Sequence, residues 1–404
     1  MNKTAIRLKS VFPSKRNQDS KNCIPYGKHW IGEDEVQEVV ETLRTGYLTS
    51  GPKVERFENE LRQYLGAKYT VTTGSCSAAL HLSILAFGIK PGDEVITTPF
   101  TYVATVNAIL HAGAIPIFVD IDPKTYSIDP LKIEERITPR TKAILIVHYA
   151  GQPCAIREIG KIARNYQLAV IEDSSHAIGA TYQNRKVGCD SDSACFSFHP
   201  VKNMTTAEGG LIATKHEHIA RLCKAFRLHG FLEDYREREQ AEFFEYPQMQ
   251  YLGFKYNMTD LQAAIGLWQL KKLDQFNKRR SEIAQMYSAG LKDREELILP
   301  YVSPEGVHVW HLYVVRLRLE RLQVSRAEFM KRLADRNITT SVHYLPVHLH
   351  TYYRNRFQTK EGDFPIAEDV YRSIVTIPLF PKMNGDEVQY VIDTIQKVLD
   401  ETKR

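Results

Sequence analysis

Long apolar runs, paired cysteine motifs and blocks of basic residues are missing from this sequence, and each absence excludes a class of protein. No apolar run reaches the roughly 18 residues of a membrane-spanning helix. The first segment, MNKTAIRLKSVFPSKRNQDSKN, has no continuous apolar stretch of the kind found in a signal peptide. The six cysteines form no C-x-x-C pair. We therefore expect a reduced, cytoplasmic protein with no membrane segment.

The charge indicates no nucleic-acid partner. The chain has 53 Lys and Arg against 48 Asp and Glu, a net charge of +5, and its basic residues are scattered rather than clustered. Nucleic-acid-binding proteins usually concentrate such residues on one face or one helix. With 404 residues, 43% of them hydrophobic, the chain is long enough for a large domain and a smaller one.

The stretch SFHPVKNMTTAEGG, from Ser197 to Gly210, contains a lysine in an unusual setting. Lys202 follows an apolar strand pattern and has no acidic neighbour in the sequence. A lysine amine becomes a useful nucleophile when desolvation or nearby positive charge lowers its pKa. An exposed lysine on a surface loop is the common alternative, because most lysines are exposed.

An acid pair upstream favours the catalytic interpretation. The segment AVIEDSSHAIGA indicates a short buried strand, residues 168–171, which delivers Glu172 and Asp173 at its carboxyl end. Ligands of open α/β sheets bind at that edge. An enzyme that uses pyridoxal phosphate needs a lysine to hold the cofactor covalently and an acid to keep its pyridine nitrogen protonated. Lys202 and Asp173 are the natural pair for these two tasks.

The fold class follows from the periodicity. Short β-branched runs alternate with helical spacing after Gly92, which predicts an α/β fold with a mostly parallel central sheet and helices on both faces. Further along, the pattern predicts a smaller C-terminal α+β domain. The expected segments are an N-terminal extension at 1–30, a large domain at 31–273 and a small domain at 274–404. The first 22 residues of the extension are expected to be loosely ordered. The individual elements expected include a helix from Pro130, a long functional loop at 231–252 and a helix over 274–291.

The segments IEDSSHAIGA and FSFHPVKNMTTAEGG resemble the signature of the sugar aminotransferases of the DegT/StrS family, which are fold type I pyridoxal phosphate enzymes. The resemblance extends from about Gly32 to the last helix. It implies pyridoxal 5′-phosphate as the cofactor, Lys202 as its covalent attachment point and Asp173 as the partner of the pyridine nitrogen. It also implies a homodimer whose active sites are shared between subunits.

The same resemblance implies further cofactor contacts. Cys76 and Ser77 align with a Gly-Thr pair that holds the cofactor phosphate in the family, so the cysteine is a departure. The start of a helix suits an anion because its first N–H groups lack partners, although a serine cap there needs no ligand. The other implied contacts are Tyr102 stacked on the cofactor ring, His176 near its phenolic oxygen, Ser197 at its phosphate and Asn257 at the phosphate of the neighbouring subunit's cofactor.

Substrate contacts are implied at four residues: Thr49, His229, His343 and Tyr344. For Thr49 and the rest of the GYLTSGP loop, a simple Gly/Pro turn is an equal alternative. His148 follows a strand end and is either a contact or a satisfied buried histidine. The histidines near residue 350 match no metal-ligand spacing, and no metal is expected.

Three functions are compatible with these residues. The leading one is a transaminase that moves an amino group from L-glutamate to a ketosugar nucleotide. A sugar dehydratase of the same family would have histidine in place of Lys202, and a non-catalytic scaffold would not need Lys202, Asp173 and Ser197 together. The segments HYAGQP, GFKYNMTDLQAAI, VWHLY and YYRNRF resemble aminotransferases that act at C4 of UDP-linked ketosugars. We expect a UDP-4-keto-6-deoxy-hexosamine, with a UDP-4-ketopentose as the alternative.

Overall fold

The computed structural model describes residues 23–232 and 248–404. Within these ranges a seven-stranded sheet forms the centre of the molecule. Its strands are β1 (Tyr69–Thr73), β2 (Glu94–Thr97), β3 (Ile115–Phe118), β4 (Thr141–Val147), β5 (Ala169–Asp173), β8 (Ser193–Ser197) and β9 (Gly210–Thr214). Across the sheet they follow the order β1-β9-β8-β5-β4-β2-β3.

The sheet is mostly parallel, as predicted. The neighbours β3, β2, β4, β5 and β8 pair in parallel, whereas β9 is antiparallel to both β8 and β1. Strands β2, β8 and β9 are buried along their whole length. Strands are buried in this way when helices cover both faces of a sheet.

Alternating side chains of one strand contact helices on opposite faces. On β8, Phe196 packs with Phe57 and Leu267 in one apolar cluster. Its neighbour Cys195 packs with Leu82 and other residues in a second cluster. Because successive side chains of a strand point to opposite faces, these two clusters lie on the two sides of the sheet. The predicted fold class is therefore confirmed.

The described residues form helices in both halves of the chain. Those of the first half are α1 (Glu33–Thr45), α2 (Pro52–Leu65), α3 (Cys76–Ala86), α4 (Val103–His111), α5 (Ile156–Tyr166) and α6 (Glu217–Arg227). Those of the second half are α7 (Asp260–Leu291), α8 (Arg326–Ala334), α9 (Thr351–Phe357), α10 (Pro365–Ser373) and α11 (Gly385–Thr402). The helix expected from Pro130 is instead two short 3-10 turns, Pro130–Lys132 and Glu134–Arg136.

The C-terminal part has the predicted α+β character. Its three-stranded antiparallel sheet has the order β10-β12-β13, formed by Leu297–Ile298, Tyr313–Leu317 and Ile374–Ile377. Its core joins side chains of this sheet to α8, α11 and the second half of α7. A further small sheet of three short strands joins Gly306–Val307 (β11) to the hairpin of Thr181–Tyr182 (β6) and Arg185–Lys186 (β7) in the large domain.

A single helix, α7, links the large domain to the small one. It runs without a break over 32 residues, about 48 Å at the usual rise per residue, and Thr259 caps its start by accepting the N–H of Gln262. The expectation of a separate helix over 274–291 is wrong, and the proposed boundary at 273/274 falls inside this helix. No proline interrupts the sequence, and Gly266 is placed where a β-carbon would lie 2.5 Å from the Phe57 ring. The glycine therefore serves close packing rather than a break.

Residues 23–30 are packed rather than loosely attached. The side chain of Ile24 is 7% exposed and belongs to the core of the small domain, and its backbone pairs with Ile338. The N-terminal extension predicted at 1–30 thus includes a packed segment, and loose order was expected only of residues 1–22. Those residues lie outside the described ranges, as do residues 233–247 of the loop expected at 231–252. No helix of the described residues is both long and apolar enough to cross a membrane.

Candidate active site

Strands β5 and β8 bring the two principal site residues to one edge of the sheet. Asp173 is the last residue of β5 and pairs with Cys195 of β8. Lys202 lies five residues beyond the end of β8, in a turn where its N–H donates to the carbonyl of His199. Because the carboxyl ends of parallel strands meet at one edge, the lysine and the acid come together there.

The two acids of the ED pair have different surroundings. Asp173 accepts hydrogen bonds from the hydroxyl of Thr105 (2.7 Å) and from the N–H and hydroxyl of Ser175. Glu172 points to the other side of the strand and lies 3.0 Å from the imidazole of His148. Asp173 is therefore the acid that faces Lys202, and Glu172 belongs to a separate buried pair.

His148 is a satisfied buried histidine. Its Nδ1 accepts the backbone N–H of Cys154 (3.0 Å), so in the neutral ring the proton is on Nε2, which donates to Glu172. The ring is completely buried. Of the two interpretations left open by the sequence, the structural one holds, and His148 does not reach the Lys202 group.

The Lys202 amine is held in a form that can react. Its burial lowers the pKa to about 8, although the negative charge of Asp173 opposes this change. A pKa near 8 leaves a substantial neutral fraction at physiological pH, whereas an exposed lysine has almost none. Burial at the end of β8 is thus the physical cause of the nucleophilic character inferred for this residue.

A helix N-terminus faces the same group. Helix α3 begins at Cys76, and Ser75 caps it by accepting the N–H of Ala78 (3.2 Å). The Cys76 thiol lies 3.1 Å from the hydroxyl of Ser175, and burial beside Asp173 raises its pKa well above the ordinary value, so it stays a neutral thiol. Ser77 is exposed in the first turn. The first N–H groups of this helix can bind a phosphate, and Ser197, 8% exposed, lies at the end of β8.

His176 and Tyr344 form a hydrogen-bonded pair beside Lys202. The N–H of Ala150 donates to Nδ1 of His176 (3.2 Å), and Nε2 lies 3.1 Å from the Tyr344 hydroxyl. Burial and the charge of Lys202 lower the pKa of His176 well below the ordinary value, so the ring is neutral with its proton on Nε2. Burial next to Asp173 raises the pKa of Tyr344. The neutral phenol therefore accepts from His176, and its own hydrogen is free to donate to a ligand.

Two more predicted residues complete this side of the site. His343 is hydrogen-bonded through Nδ1 to Thr376 (2.8 Å), and burial, with Lys202 nearby, lowers its pKa to about 3. Tyr102 precedes α4, is 59% exposed, and its ring centroid lies 5.6 Å from that of Tyr344. The exposed face of this ring is available for stacking. His348, by contrast, pairs with Glu368 away from this group.

The remaining predicted contacts lie apart from Lys202. The amide of Asn257 donates to the hydroxyls of Ser50 (2.9 Å) and Thr49 (3.4 Å), and the N–H of Gly51 donates to Asp260. These contacts attach the GYLTSGP loop to the start of α7. His229 is exposed, with a left-handed backbone at φ 57°, and its N–H donates to the carbonyl of Phe254. Among the described residues, no hydrogen bond joins Thr49, Asn257 or His229 to the Lys202 group.

The structure adds residues that sequence reasoning missed. Asn203, next to Lys202, donates to Asn277 (2.7 Å) and to the carbonyl of Val309 (2.9 Å), and its oxygen lies 3.2 Å from Nδ1 of His311. The ring of His311 lies 4.2 Å from that of His176. The VWHLY segment was a signal for His311, but only as part of a resemblance. Thr105 had no signal, because its contact with Asp173 depends on the order of the strands.

The geometry defines the class of this protein. A buried lysine of low pKa, an aspartate fixed by hydroxyl donors and a helix N-terminus that can receive a phosphate all meet at the carboxyl edge of a parallel sheet. These groups fit pyridoxal phosphate, which needs an amine, an acid for its ring nitrogen and an anion site. The class is that of fold type I pyridoxal phosphate enzymes.

The chain belongs to the DegT/DnrJ/EryC1/StrS aminotransferase family, whose profile matches residues 29–396. The resemblance noted in the sequence is thereby confirmed, and pyridoxal 5′-phosphate is the cofactor. Among curated proteins, the chain is 47% identical over 380 residues to the uncharacterized protein MJ1066 of Methanocaldococcus jannaschii, covering 94% of this chain and 98% of that protein. It is 44% identical over 383 residues to the spore coat polysaccharide biosynthesis protein SpsC of Bacillus subtilis, covering 95% and 98%.

Solved structures of sugar-related aminotransferases have the same fold as this chain. Spr1654 of Streptococcus pneumoniae, described as a sugar aminotransferase and solved in a PMP form, superposes with a TM-score of 0.88 at 31% identity over 94% of this chain and 99% of that one. PseC of Helicobacter pylori, an aminotransferase involved in the biosynthesis of pseudoaminic acid, gives a TM-score of 0.87 at 31% identity over 94% and 100%. The chain is an aminotransferase with the fold of these enzymes.

Proposed function

We propose that this aminotransferase moves an amino group from L-glutamate to C4 of a UDP-linked 4-keto-6-deoxy-hexosamine, for the biosynthesis of a cell-surface glycan. The observation that carries the reaction type is the buried Lys202 amine beside the hydrogen-bonded Asp173 carboxylate. The similar proteins support the substrate class, since one is a spore coat polysaccharide biosynthesis protein and another is an aminotransferase involved in the biosynthesis of pseudoaminic acid.

The residues of the site suit the cofactor in distinct ways. Lys202 supplies the amine for covalent attachment, and Asp173 holds the proton of the ring nitrogen. The first turn of α3, with Cys76 and Ser77, and the hydroxyl of Ser197 would bind the phosphate. When bound, pyridoxal phosphate withdraws electrons from the carbon that carries the transferred amino group.

Proton transfer falls to the Lys202 amine. A base is most effective when its pKa lies near the working pH, and burial brings the Lys202 amine to about 8. As a free amine, Lys202 would take the proton from the donor carbon that bears the amino group and would return a proton to the carbon on the other side of the transferred nitrogen. His176 and Tyr344 hold one hydroxyl hydrogen ready for an oxygen of cofactor or sugar.

A second copy of the chain would complete the site. Asn257, Thr49 and Ser50 form a polar group with hydroxyls and an amide but no contact to Lys202 among the described residues. Near them, Leu43 (57% exposed), Tyr47 (43%) and Leu48 (47%) leave apolar surface open. Clusters of this kind mark protein interfaces. We therefore place Asn257 of one subunit at the cofactor phosphate of the other, in a homodimer with two shared sites.

Half-reactions test the proposed function. Purified protein loaded with cofactor is mixed with L-glutamate, and the change in the near-visible absorption of the cofactor is recorded. The aminated enzyme is then mixed with ketosugars linked to UDP, dTDP or GDP, including the UDP-4-ketopentose. We expect the absorption to return with the UDP-4-keto-6-deoxy-hexosamine. Return only with dTDP- or GDP-linked sugars would refute the UDP assignment, and return with none of them would refute the sugar substrate.

A further inference from the structure

Residues 23–31, which we call the strap, connect the small domain to α1 and pass across the lysine loop. At one end, Ile24 donates its N–H to Asn337 (2.9 Å) and accepts that of Thr339 (2.9 Å). In the middle, the carbonyl of Tyr26 accepts the N–H of Leu379 (3.0 Å). A β-carbon at Gly27 would touch Val201, the residue before Lys202. The strap is thus fixed directly over the loop that carries the amine.

The far end of the strap is equally well fixed. The ring of Trp30 stacks on Phe276 with centroids 5.5 Å apart, and its carbonyl accepts the side-chain amide of Gln269 (2.8 Å). Between the two anchored ends lie Lys28 and His29, both exposed. Because the backbone on both sides is held, the position of the Lys28 side chain relative to Lys202 is restricted to what its own rotamers allow.

Lys28 and Lys202 share the wall of one small cavity. The cavity has room for about one water-sized group, with a volume near 10 Å³, and its lining is mostly polar. Its cationic and potentially cationic residues are Lys28, His29, Lys202 and Arg280, and no carboxylate lines it. Glu35 contacts this lining through Gln269, and its carboxylate is also bound to Lys272 and to the N–H of Gly32.

Arg280 makes this cavity unusual. It is 2% exposed, and its Nη1 donates to the carbonyls of Trp310, His311 and Leu379. Its Nε is buried and has no hydrogen-bond partner within the described residues, and no carboxylate pairs with it there. A buried cation without a counter-charge is costly, so this region favours a bound anion. Lys28 likewise has no ion-pair partner among the described residues, unlike Lys272, which pairs with Asp34 and Glu35.

The chemistry of the donor identifies the anion. In an α-amino acid, the carbon that bears the transferred amino group also bears a carboxylate, so this carboxylate must lie close to Lys202. The diphosphate of a sugar nucleotide is attached to the anomeric carbon, on the other side of the sugar ring from C4. A cation beside Lys202 therefore meets the carboxylate of the donor rather than the diphosphate of the acceptor. Charge-assisted hydrogen bonds from lysine or arginine are the usual contacts of carboxylates.

We propose that Lys28, held by the strap beside Lys202, binds the α-carboxylate of the amino-acid donor, and that the charge of Arg280 behind it favours the same anion. The proposal rests on the proposed function for the identity of the donor. It makes the strap part of the active site and makes Lys28 the residue that distinguishes an α-amino acid from a simple amine.

The test compares Lys28→Met and Lys28→Arg with Lys382→Met. Lys382 is a matched control, because it is exposed, its Nζ lies 6.0 Å from the ring centroid of Trp30, and it does not line the cavity. The first measurement is the rate of the donor half-reaction with L-glutamate and with γ-aminobutyrate, which lacks the α-carboxylate. We expect Lys28→Met to reduce kcat/KM for glutamate on the order of 10- to 100-fold, the range of one charge-assisted hydrogen bond, without changing that for γ-aminobutyrate.

A binding measurement without turnover accompanies the kinetics. Glutarate, an unreactive dicarboxylate, is titrated into the holoenzyme and its Kd is measured by calorimetry. We expect the Kd to rise at least about tenfold in Lys28→Met, to recover in Lys28→Arg and to stay unchanged in Lys382→Met. If wild type does not react with γ-aminobutyrate, the glutarate series alone decides.

Two outcomes would overturn the proposal. One is an unchanged Kd and an unchanged glutamate reaction in Lys28→Met. The other is an equal loss in the half-reaction with the ketosugar, which would place Lys28 at the acceptor or in a general structural role. These outcomes are separate from a failure of the proposed function, because the donor half-reaction and the glutarate titration involve no sugar.

Discussion

Two polar groups of this molecule, one around Lys202 and one around Asn257, differ in how complete they are. In the first, Asp173, His176, His343 and Tyr344 each have hydrogen-bond partners within the same chain, and burial changes several of their pKa values. In the second, Asn257 bonds only to its own loop contacts, beside exposed apolar residues. One chain therefore supplies all the partners of the Lys202 group, whereas in the proposed homodimer the Asn257 group would contact the neighbouring subunit.

Removing the amine should have the largest effect. Lys202→Ala removes the only lysine of residues 198–209, the loop after β8, so we expect activity to fall by at least about 10³-fold and the near-visible absorption of lysine-bound cofactor to disappear. Absorption spectroscopy and the glutamate half-reaction measure both. Lys215→Ala is the control, because Lys215 pairs with Asp192 at the surface. A normally coloured and active Lys202→Ala protein would disprove the assignment.

Substitutions of the two neighbouring acids should have different effects. That of Asp173 should lower turnover, and that of Glu172 should lower thermal stability. Asp173→Asn cannot hold the charge of the ring nitrogen, so we expect turnover to drop about 10²-fold or more while the fold is kept. Glu172→Gln should instead lower the thermal stability, because it weakens the buried contact with His148, and should leave kcat within a few-fold. Thermal unfolding and steady-state kinetics of both variants decide; the reverse pattern would show that Glu172 is the acid of the site.

The pH dependence of cofactor capture follows from the lowered pKa of Lys202. The neutral amine is the reacting form, so in the cofactor-free protein the rate of lysine attachment to pyridoxal phosphate should rise about tenfold from pH 7 to pH 9, with a midpoint near 8. Stopped-flow absorption measures this rate. The stability of the fold should also increase with pH. Because the folded amine loses its proton more readily than the unfolded one, the cofactor-free protein should gain stability as pH rises through 8. A midpoint near 10 would show an exposed, ordinary lysine.

The smallest effect is expected at the Asn257 group. Loss of one phosphate contact in Asn257→Ala should reduce activity about tenfold. Mixing this variant with Lys202→Ala, under conditions of subunit exchange, should restore one native site in each mixed dimer, hence about a quarter of the wild-type activity at equal amounts. Activity that stays at the level of the separate variants, with exchange demonstrated, would argue for self-contained sites.

The sequence predicted the residues of the Lys202 group better than the residues that hold them in place. Apolar runs in the sequence indicate β5 and β8, so these two strands were expected close to where they lie. Asp173 was expected at the carboxyl end of the first and Lys202 in the loop after the second. Thr105 and Ser175 could not be found in this way, because a hydroxyl in a helix or turn has no distinctive pattern and its contact with Asp173 depends on tertiary packing.

The packing of the strap could not be predicted from the sequence for a different reason. Its nine residues have neither helical nor strand periodicity, and they follow a polar segment, so the sequence contained no sign that this part of the N-terminal extension is packed. What orders the strap is a set of single contacts to residues more than 200 positions away, such as Ile24 with Ile338 and Trp30 with Phe276. Such contacts become visible only when the small domain is placed beside the large one.

Helix α7 has a consequence for how this chain can vary. It starts beside Asn257, passes Asn277, which holds Asn203, and passes Arg280 beside the cavity before it ends in the core of the small domain. An insertion of one residue near its start would turn everything downstream by about 100° and shift it by about 1.5 Å. The amide that supports the lysine loop and the buried guanidinium would then leave their places together. We therefore expect this protein to tolerate no insertion or deletion between Thr259 and Arg280, whereas its loops can change in length.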